Sequence, residues 1–226
     1  MKAAAIDIEA NIEQVKVRIA RACQRVGRSP DEVTIVAVTK NVEPSAIATA
    51  FELGIRHFGE NRVQEAVDKL GQLSGLKPHP TWHMVGHLQT NKVKVAVEIF
   101  DIIHSIDSVR LAEVISRRTQ RTLPVLLEVN VSGEASKSGF SVAEVEPALE
   151  AISHLPRLEM KGLMTIAPIV VDAEQARPVF RKLCSLRDCF GLEHLSMGMS
   201  DDFEVAVEEG ATMLRIGRAI FGERRT

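Results

Sequence analysis

The chain has 226 residues, of which 45% are apolar and 26% charged, and its formal net charge at pH 7 is −2. This length suits one sizeable core, and the nearly balanced charge provides no broad basic field for nucleic acid or anionic lipid. No apolar run approaches the roughly 18 residues of a membrane span, and the first ten residues lack a signal-peptide pattern.

The N-terminal region has the pattern of an amphipathic helix. Apolar residues recur at three- and four-residue steps from Ile8 to Val26, which places them on one helical face. Gly27 fits the C-terminal stop of this helix, and Pro30 prevents its continuation.

Strand and helix patterns alternate through the rest of the chain. The first strand pattern, VTIVAVT at 33–39, is apolar on both faces, as is typical of a buried parallel strand. The predicted strands are 33–39, 55–58, 81–85, 100–104, 123–131, 158–165, 192–196 and 212–216. The predicted helices between them are 44–53, 61–70, 90–98, 108–120, 141–154, 173–190 and 201–209.

This alternation predicts a parallel sheet with crossover helices. Eight units favour an α/β fold with a single (β/α)8 TIM barrel and an additional N-terminal helix, as one domain over residues 1–226. An open doubly wound sheet is the alternative. In a barrel of this kind, functional side chains lie at the C-terminal ends of the strands.

Lys40 ends the first predicted strand, in the segment VAVTK. Partial desolvation at an apolar barrel mouth favours the free amine, which can form a Schiff base with an aldehyde. The alternative is an ordinary surface lysine at the end of a strand.

The loops after the seventh and eighth strands lie where this fold gathers phosphate. Ser196 offers a hydroxyl, Gly217 allows close approach of the backbone, and Arg218 opens a last short helical segment. The helix that starts near Asp201 is the poorer cradle, because an Asp-x-x-Glu capping box with Glu204 is expected to occupy its first turn. The alternative is a pair of ordinary turns.

His79, His83 and His87 are spaced by four residues, which suggests a metal site. Pro80 and Gly86 interrupt any helix there, and on a strand the first two histidines are roughly 12 Å or more apart. No carboxylate or cysteine joins them, so we expect no metal.

Two further segments border the predicted mouth. Asn61 lies just past the second strand and is expected to face the mouth, although a helix N-cap is the alternative role for Glu60 and Asn61. The segment 133–139 lacks the residue order of a P-loop and predicts a flexible loop over the mouth. Lys137 in this loop is a possible second amine, with a solvated lysine as the alternative.

Cysteine usage indicates the cellular compartment. Cys23, Cys184 and Cys189 are odd in number and form no Cys-x-x-Cys pair. They fit neither a disulfide framework nor a zinc site. We therefore expect a cytoplasmic protein.

Several segments together resemble the pyridoxal phosphate homeostasis protein family, a stand-alone relative of the barrel domain of alanine racemase. They are VAVTK, HFGENRVQE, WHMVGHLQTNK, NVSGEASKSGF, GLMTIAP and LSMGMSDDFEVAVEEGATMLRIGRAIFG. The resemblance runs from about Val33 to Gly222. It implies a monomer that binds pyridoxal 5′-phosphate (PLP) and acts in vitamin B6 and amino-acid or keto-acid homeostasis, without robust enzymatic turnover.

The resemblance also implies roles for individual residues. Lys40 corresponds to the lysine that forms the internal aldimine with PLP. Ser196 and the backbone at Gly217 and Arg218 correspond to the phosphate ligands. Arg215 corresponds to the arginine that faces the pyridine nitrogen.

Three more residues in the matching segments complete the predicted cofactor-binding set. These residues are Asn61, His83 and Met164. No residue is assigned a catalytic role, and the expected partner is the small-molecule cofactor, with no nucleic acid and no membrane.

Arg215 and the absence of tyrosine bear on catalysis. A guanidinium stays protonated in proteins, so Arg215 disfavours protonation of the adjacent ring nitrogen and weakens the cofactor as an electron sink. Alanine racemase, the relative that the resemblance names, uses a tyrosine from its partner subunit as a second base. This chain contains no tyrosine. We therefore favour a protein that holds the cofactor. The alternatives are a slow PLP-dependent racemase or lyase and, without cofactor, a Schiff-base aldolase for a phosphorylated sugar.

Overall fold

The computed structural model describes residues 7–134 and 136–223. Within these residues, eight parallel strands form a closed barrel in chain order, and the eighth strand pairs with the first. The predicted barrel is confirmed, and the open doubly wound alternative is wrong. The strands are β1 (Thr34–Val38), β2 (His57–Glu60), β3 (Thr81–Met84), β4 (Ile102–Ile106), β5 (Leu123–Glu128), β6 (Leu158–Met164), β7 (His194–Ser196) and β8 (Met213–Ile216).

Helices follow the strands and surround the barrel. The α-helices are α1 (Ile8–Arg25), α2 (Pro44–Glu52), α3 (Val63–Leu73), α4 (Val93–Ile99), α5 (Val109–Arg118), α6 (Val145–Ser153), α7 (Arg177–Cys189), α8 (Phe203–Glu208) and α9 (Arg218–Phe221). Short 3₁₀ turns precede α4, α6 and α7, at residues 90–92, 142–144 and 173–176.

The additional helix α1 begins and ends as its sequence predicts. The Asp7 carboxylate accepts a hydrogen bond from the Ala10 amide, and Gly27 adopts a φ of 69° just past the last turn. The Arg28 guanidinium then donates to the carbonyl oxygens of Val207 and Ala211, at 2.7 and 3.0 Å. These bonds hold the end of α1 against the connection from α8 to β8.

Two strands lie further along the chain than their sequence pattern predicts. β2 is predicted at 55–58 but spans His57–Glu60, and β4 is predicted at 100–104 but spans Ile102–Ile106. Ile55 and Phe100 are buried, yet they lie in the connections that precede the strands. The run of apolar residues therefore begins before each strand does. Buried polar residues near the C-terminal end of each strand conceal where that strand stops.

The protein has two interior regions of different character, one between the sheet and the helices and one inside the barrel. Most apolar side chains pack between the sheet and the helices in one continuous core. A small second cluster inside the barrel contains Val36, Val85 and Met213. Polar side chains occupy much of the remaining barrel interior, and they form the candidate site described below.

The described residues include no helix with the length and apolar character needed to cross a membrane. The three cysteines are free thiols. The single-domain prediction extends over residues 1–6 and 224–226, which lie outside the described part of the chain.

Candidate functional site

Lys40 lies directly after β1, half-buried at the mouth of the barrel. The residues on both sides of it are fixed. The carbonyl oxygen of Thr39 accepts a hydrogen bond from Nζ of Lys69 at 2.6 Å. The amide of Asn41, which adopts a φ of 58°, donates to Oε1 of Glu65 at 2.6 Å. The Lys40 backbone is therefore anchored on both sides, which limits the positions that its side chain can take at the mouth.

Lys69 joins these two anchors in one buried cluster. Its ammonium group lies 2.8 Å from Glu60 Oε1 and 2.6 Å from Glu65 Oε1. The Thr39 hydroxyl also donates to Glu60 Oε1, at 2.6 Å. Burial raises the pKa of Glu60, and the hydrogen bonds from Lys69 and Thr39 oppose this shift. The cluster ties α3 to the ends of β1 and β2.

The helix N-cap alternative for Glu60 and Asn61 is wrong. Glu60 is the last residue of β2 and is fully buried, and the residue that precedes α3 is Arg62, without a side-chain cap. A cap must be partly free to reach the first amides of its helix, whereas the Glu60 carboxylate is held by Lys69. The local signal for this cluster in the sequence is the i,i+4 pair of Glu65 and Lys69.

The loops after β7 and β8 meet at the start of α9. Gly217 precedes this helix and Arg218 is its first residue. The amide of Ala219 donates to Oγ of Ser200 at 3.1 Å. The hydroxyl that lies at this turn is therefore that of Ser200, which the sequence argument did not select. Ser200 lies in the same SMGMSDD segment as Ser196, which was the available signal.

The expected capping box at Asp201 does not form. Helix α8 begins at Phe203, so Asp201 lies outside its first turn, and its carboxylate pairs with the Arg218 guanidinium instead. This pairing raises the pKa of Arg218. Asp202 accepts a hydrogen bond from the Met199 amide at 2.6 Å. The Arg218 side chain is thus occupied by Asp201. The backbone amide of Arg218 stays at the turn between β8 and α9.

Arg215 lies in β8 with its guanidinium inside the barrel, only 5% exposed. Nη1 donates to Oγ of Ser196 at 2.6 Å, and Nη2 donates to the carbonyl oxygen of Thr165 at 2.8 Å. Burial lowers the pKa of Arg215 to about 10, while Asp202 and Glu128 oppose that shift. Arg215 therefore stays a cation at neutral pH.

Three histidines continue from Ser196 through the barrel interior. Nδ1 of His104 lies 2.8 Å from Oγ of Ser196, and Nε2 of the same ring lies 2.8 Å from Nδ1 of His83. Nε2 of His83 lies 3.0 Å from Nδ1 of His57. His83 and His104 are fully buried, and His57 is half-buried at the first position of β2.

This arrangement specifies how two predicted residues reach the mouth. Both ring nitrogens of His83 contact other imidazoles, so His83 reaches the mouth only through His104 and Ser196. Ser196 itself is fully buried beneath Arg215. His79, His83 and His87 do not converge, because His87 pairs with Asp107 at 2.8 Å while His83 lies in the barrel interior. No group of three or more potential metal ligands occurs in the described ranges.

The two remaining predicted residues, Met164 and Asn61, lie at the C-terminal ends of β6 and β2. Met164 ends β6 opposite Ser196 in the strand register and is fully buried. Asn61 is half-buried after β2, and its carbonyl oxygen lies 2.5 Å from where a Cβ on Gly86 would sit. The ends of β2 and β3 therefore approach closely, and only glycine fits at position 86.

Lys137 is more constrained than a solvated lysine. Its Nζ lies 2.7 Å from Glu134 Oε1 and 3.2 Å from the carbonyl oxygen of Ile166, and its side chain is 21% exposed. These contacts tie the loop after β5 to the segment after β6.

Glu128 is a further carboxyl group at the mouth that the sequence argument missed. It is the last residue of β5 and 7% exposed. Burial, then Asp107, raises its pKa, and Arg215 opposes that shift. The apolar pattern extends the predicted strand to residue 131, which hides Glu128 inside it.

Comparison with known proteins gives matches over most of the chain. Residues 10–225 match the family model described as alanine racemase, N-terminal domain. The pyridoxal phosphate homeostasis proteins of Aquifex aeolicus and Escherichia coli K12 are each 43% identical, over 95% and 96% of this chain and 97% of their own lengths. The structure of PipY from Synechococcus elongatus PCC7942 with PLP bound is 39% identical, with a TM-score of 0.79 over 90% of this chain and 100% of that chain.

The buried histidines predict that the protein loses stability in acid. Burial lowers the pKa of His83 to about 3 and that of His104 well below its usual value, whereas both titrate near 6.5 when unfolded. The unfolded state therefore binds more protons below about pH 6.5. The free energy of unfolding should fall with decreasing pH, approaching a slope of ~1.4 kcal/mol per pH unit for each ring.

Urea unfolding at several pH values between 7 and 4.5 tests this prediction. His83→Gln should reduce the slope by about 1.4 kcal/mol per pH unit relative to wild type. His154→Gln is the matched control, because His154 is exposed. Equal slopes for His83→Gln and wild type would contradict the prediction.

Proposed function

Because this chain belongs to the pyridoxal phosphate homeostasis protein family, which has the barrel of the alanine racemase N-terminal domain, we propose that it binds PLP and acts in vitamin B6 and amino-acid or keto-acid homeostasis. The observation that carries the proposal is the half-buried Lys40 at the barrel mouth, between the anchored residues Thr39 and Asn41. We propose that the protein works as a cytoplasmic, single-domain monomer, and that Lys40 holds the cofactor reversibly.

The donor set suits the aldehyde and the ring of PLP. The cofactor supplies an aldehyde, whose carbon forms a C=N bond with an amine and releases one water molecule. We assign that amine to Lys40, which gives a reversible Schiff base. Arg215 presents a guanidinium with two N–H groups engaged by Ser196 and Thr165. Of its five N–H donors, others remain for the ring nitrogen.

The turn between β8 and α9 suits the phosphate. A Cβ on Gly217 would lie 3.3 Å from the Val38 carbonyl oxygen, so the backbone at this turn packs tightly against the end of β1. The first amides of a helix attract anions. Ser200 accepts a hydrogen bond from Ala219 through its oxygen, which leaves its hydroxyl proton to donate to a phosphate oxygen. We therefore propose Ser200, together with Gly217 and Arg218, as the phosphate ligands. The Ser196 hydroxyl, which was also predicted to bind the phosphate, is instead engaged by Arg215 and His104.

The proposed activity is to hold and release the cofactor rather than to turn over substrate rapidly. The Arg215 cation disfavours a protonated ring nitrogen, which weakens carbanion stabilisation by the cofactor. The sequence also has no tyrosine to act as a second base.

A slow racemase or lyase is the second candidate, and Glu128 favours it. This carboxyl group is 7% exposed at the mouth, and burial raises its pKa toward the range of a general acid or base. It is therefore the group to test for proton transfer.

The assignment of Lys40 predicts where reduction traps the cofactor. Borohydride treatment of the protein with PLP should leave a pyridoxyl group on the peptide that contains Lys40, identified by mass mapping. Lys40→Ala should lose the absorbance of the bound cofactor and still fold, because a mouth residue contributes little to the core. Lys137→Ala is the matched control and should retain both signals. A wild-type adduct on Lys137 would show that the assignment to Lys40 is wrong.

The assignment of the phosphate predicts that Gly217→Val discriminates between two ligands. The branched side chain should obstruct the phosphate at the turn, and PLP binding should weaken at least about tenfold, or ~1.4 kcal/mol. Binding of unphosphorylated pyridoxal should change little, and this ligand is the internal control. Equal losses for both ligands, measured by absorbance titration, would place the phosphate elsewhere.

Deuterium incorporation at the α-carbon of L-alanine in heavy water separates the two candidate functions. We expect the wild-type protein with PLP, and Glu128→Gln alike, to exchange far more slowly than ordinary enzymatic turnover of about 1–1000 per second. A wild-type exchange rate, slow or within that range, that is lost in Glu128→Gln would instead establish the enzyme candidate with Glu128 as its acid–base group.

A further inference from the structure

The barrel interior contains one continuous chain of hydrogen bonds, which we call the interior chain. It consists of Arg215, Ser196, His104, His83 and His57, with successive contacts of 2.6, 2.8, 2.8 and 3.0 Å. Ser196 is the last residue of β7, and His57 is the first residue of β2. The interior chain therefore crosses the barrel from its mouth toward the N-terminal ends of the strands.

Arg215 fixes the direction of every hydrogen bond in this chain. A guanidinium only donates, so the Ser196 oxygen must accept from Nη1. Ser196 is fully buried, and a buried hydroxyl proton needs an acceptor, which Nδ1 of His104 provides. A neutral imidazole that accepts at Nδ1 carries its proton on Nε2. His104 therefore donates to His83.

The same reasoning continues to the end of the chain. His83 accepts at Nδ1 and donates from Nε2 to Nδ1 of His57, whose own Nε2–H is left to face outward. All three imidazoles are thus assigned the Nε2–H tautomer. Hydrogen bonds aligned in one direction polarise one another, so each ring strengthens the acceptor that Ser196 offers to Arg215.

The surroundings keep the three rings neutral. Burial lowers the pKa of all three histidines. Asp101 faces His57 and opposes the shift there, whereas Arg215 and the neighbouring rings, including His194, favour the neutral form of His104. A neutral ring is required, because an imidazolium has no acceptor nitrogen for the Ser196 hydroxyl.

The interior chain matters because the charge of Arg215 has no direct ion pair. Within residues 7–134 and 136–223, no carboxylate oxygen lies within 4.0 Å of its guanidinium. Asp202 and Glu128 act only at longer range. A buried cation without a carboxylate depends on its neutral acceptors, which here are the Thr165 carbonyl and the Ser196 oxygen.

We propose that His104, His83 and His57 are positioning residues of the cofactor site, which act through Ser196 to hold the Arg215 guanidinium in one orientation toward the ring of bound PLP. This proposal rests on the proposed function. It assigns a role to residues that extend from the mouth to the opposite face of the barrel and that need not touch the cofactor.

The tautomers are tested first, in protein without added PLP. Long-range proton–nitrogen spectra of ¹⁵N-histidine-labelled protein distinguish protonated from unprotonated ring nitrogens. At pH 7, His104, His83 and His57 should each show an unprotonated Nδ1 and a protonated Nε2. A protonated Nδ1 on any of the three rings would overturn the proposal.

The link to the cofactor is tested with three variants. His104→Leu removes the acceptor for Ser196, so PLP should bind at least about tenfold more weakly, and the absorption maximum of the bound cofactor should shift. His104→Gln can accept from Ser196 and donate to His83, and it should restore both properties. His194→Leu is the matched control, because it removes an imidazole from the same barrel that contacts Thr212 rather than the interior chain.

Wild-type affinity and spectrum in His104→Leu would overturn the proposal. So would failure of His104→Gln to restore them, since the Gln variant retains the polar contacts and tests the proposal even if the Leu variant does not fold. Failure of the wild-type protein to bind PLP would instead refute the proposed function. The tautomer spectra of the PLP-free protein remain a separate result, so the two failures are distinguishable.

Discussion

Arg215 carries a positive charge into the interior of a barrel that is otherwise closed by packed strands. A charge in that position is costly unless polar groups surround it. The protein meets this requirement with a carbonyl oxygen and a serine hydroxyl rather than with a directly contacting carboxylate. The serine is oriented in turn by His104. The polar interior of this barrel follows from that one charge, because each buried group added to satisfy it needs a partner of its own.

Lys69 is a second buried cation, and it is stabilised in the opposite way. It lies on α3, outside the barrel, and contacts the carboxylates of Glu60 and Glu65 directly. The difference has a physical consequence for the mouth. The charge of Lys69 is neutralised where it stands, so its cluster serves to fix the backbone around Lys40. The charge of Arg215 is not neutralised by contact, so its field extends into the space where the cofactor ring is proposed to lie.

The sequence predicts the positions that lie on the chain's strongest local patterns. Lys40 follows an uninterrupted apolar strand, and Gly217 and Arg218 stand between a strand and a short helix, so their places at the mouth could be read directly. Lys69 and Glu128 could not be found in this way. Lys69 lies on a helix outside the sheet, and Glu128 lies inside a predicted strand that apolar residues extend too far. His104 ends the predicted fourth strand, and that signal was available in the sequence but was not used.

Misplaced strand ends also conceal which side chains face inward. In a strand, alternate residues point to opposite faces, so the interior set depends on register with the neighbouring strands. His57, His83 and His104 occupy three consecutive strands, and only the closed barrel brings their rings within hydrogen-bonding distance. Their separation in the sequence resembles no motif, since the spacing between strands is set by helices and loops of unequal length.

The proposal that the site retains a cofactor rather than catalysing rapid proton chemistry follows from the same electrostatics. Strong α-carbanion stabilisation by PLP needs a protonated ring nitrogen, and a fixed cation beside that nitrogen opposes its protonation. Arg215 cannot relax away from this position without removing the donor to the buried Ser196 oxygen and to the Thr165 carbonyl. In the proposed arrangement, the contacts that make the guanidinium rigid also make its effect on the ring permanent. Glu128 can then supply a proton-accepting group, but not the electron sink that Arg215 is proposed to weaken.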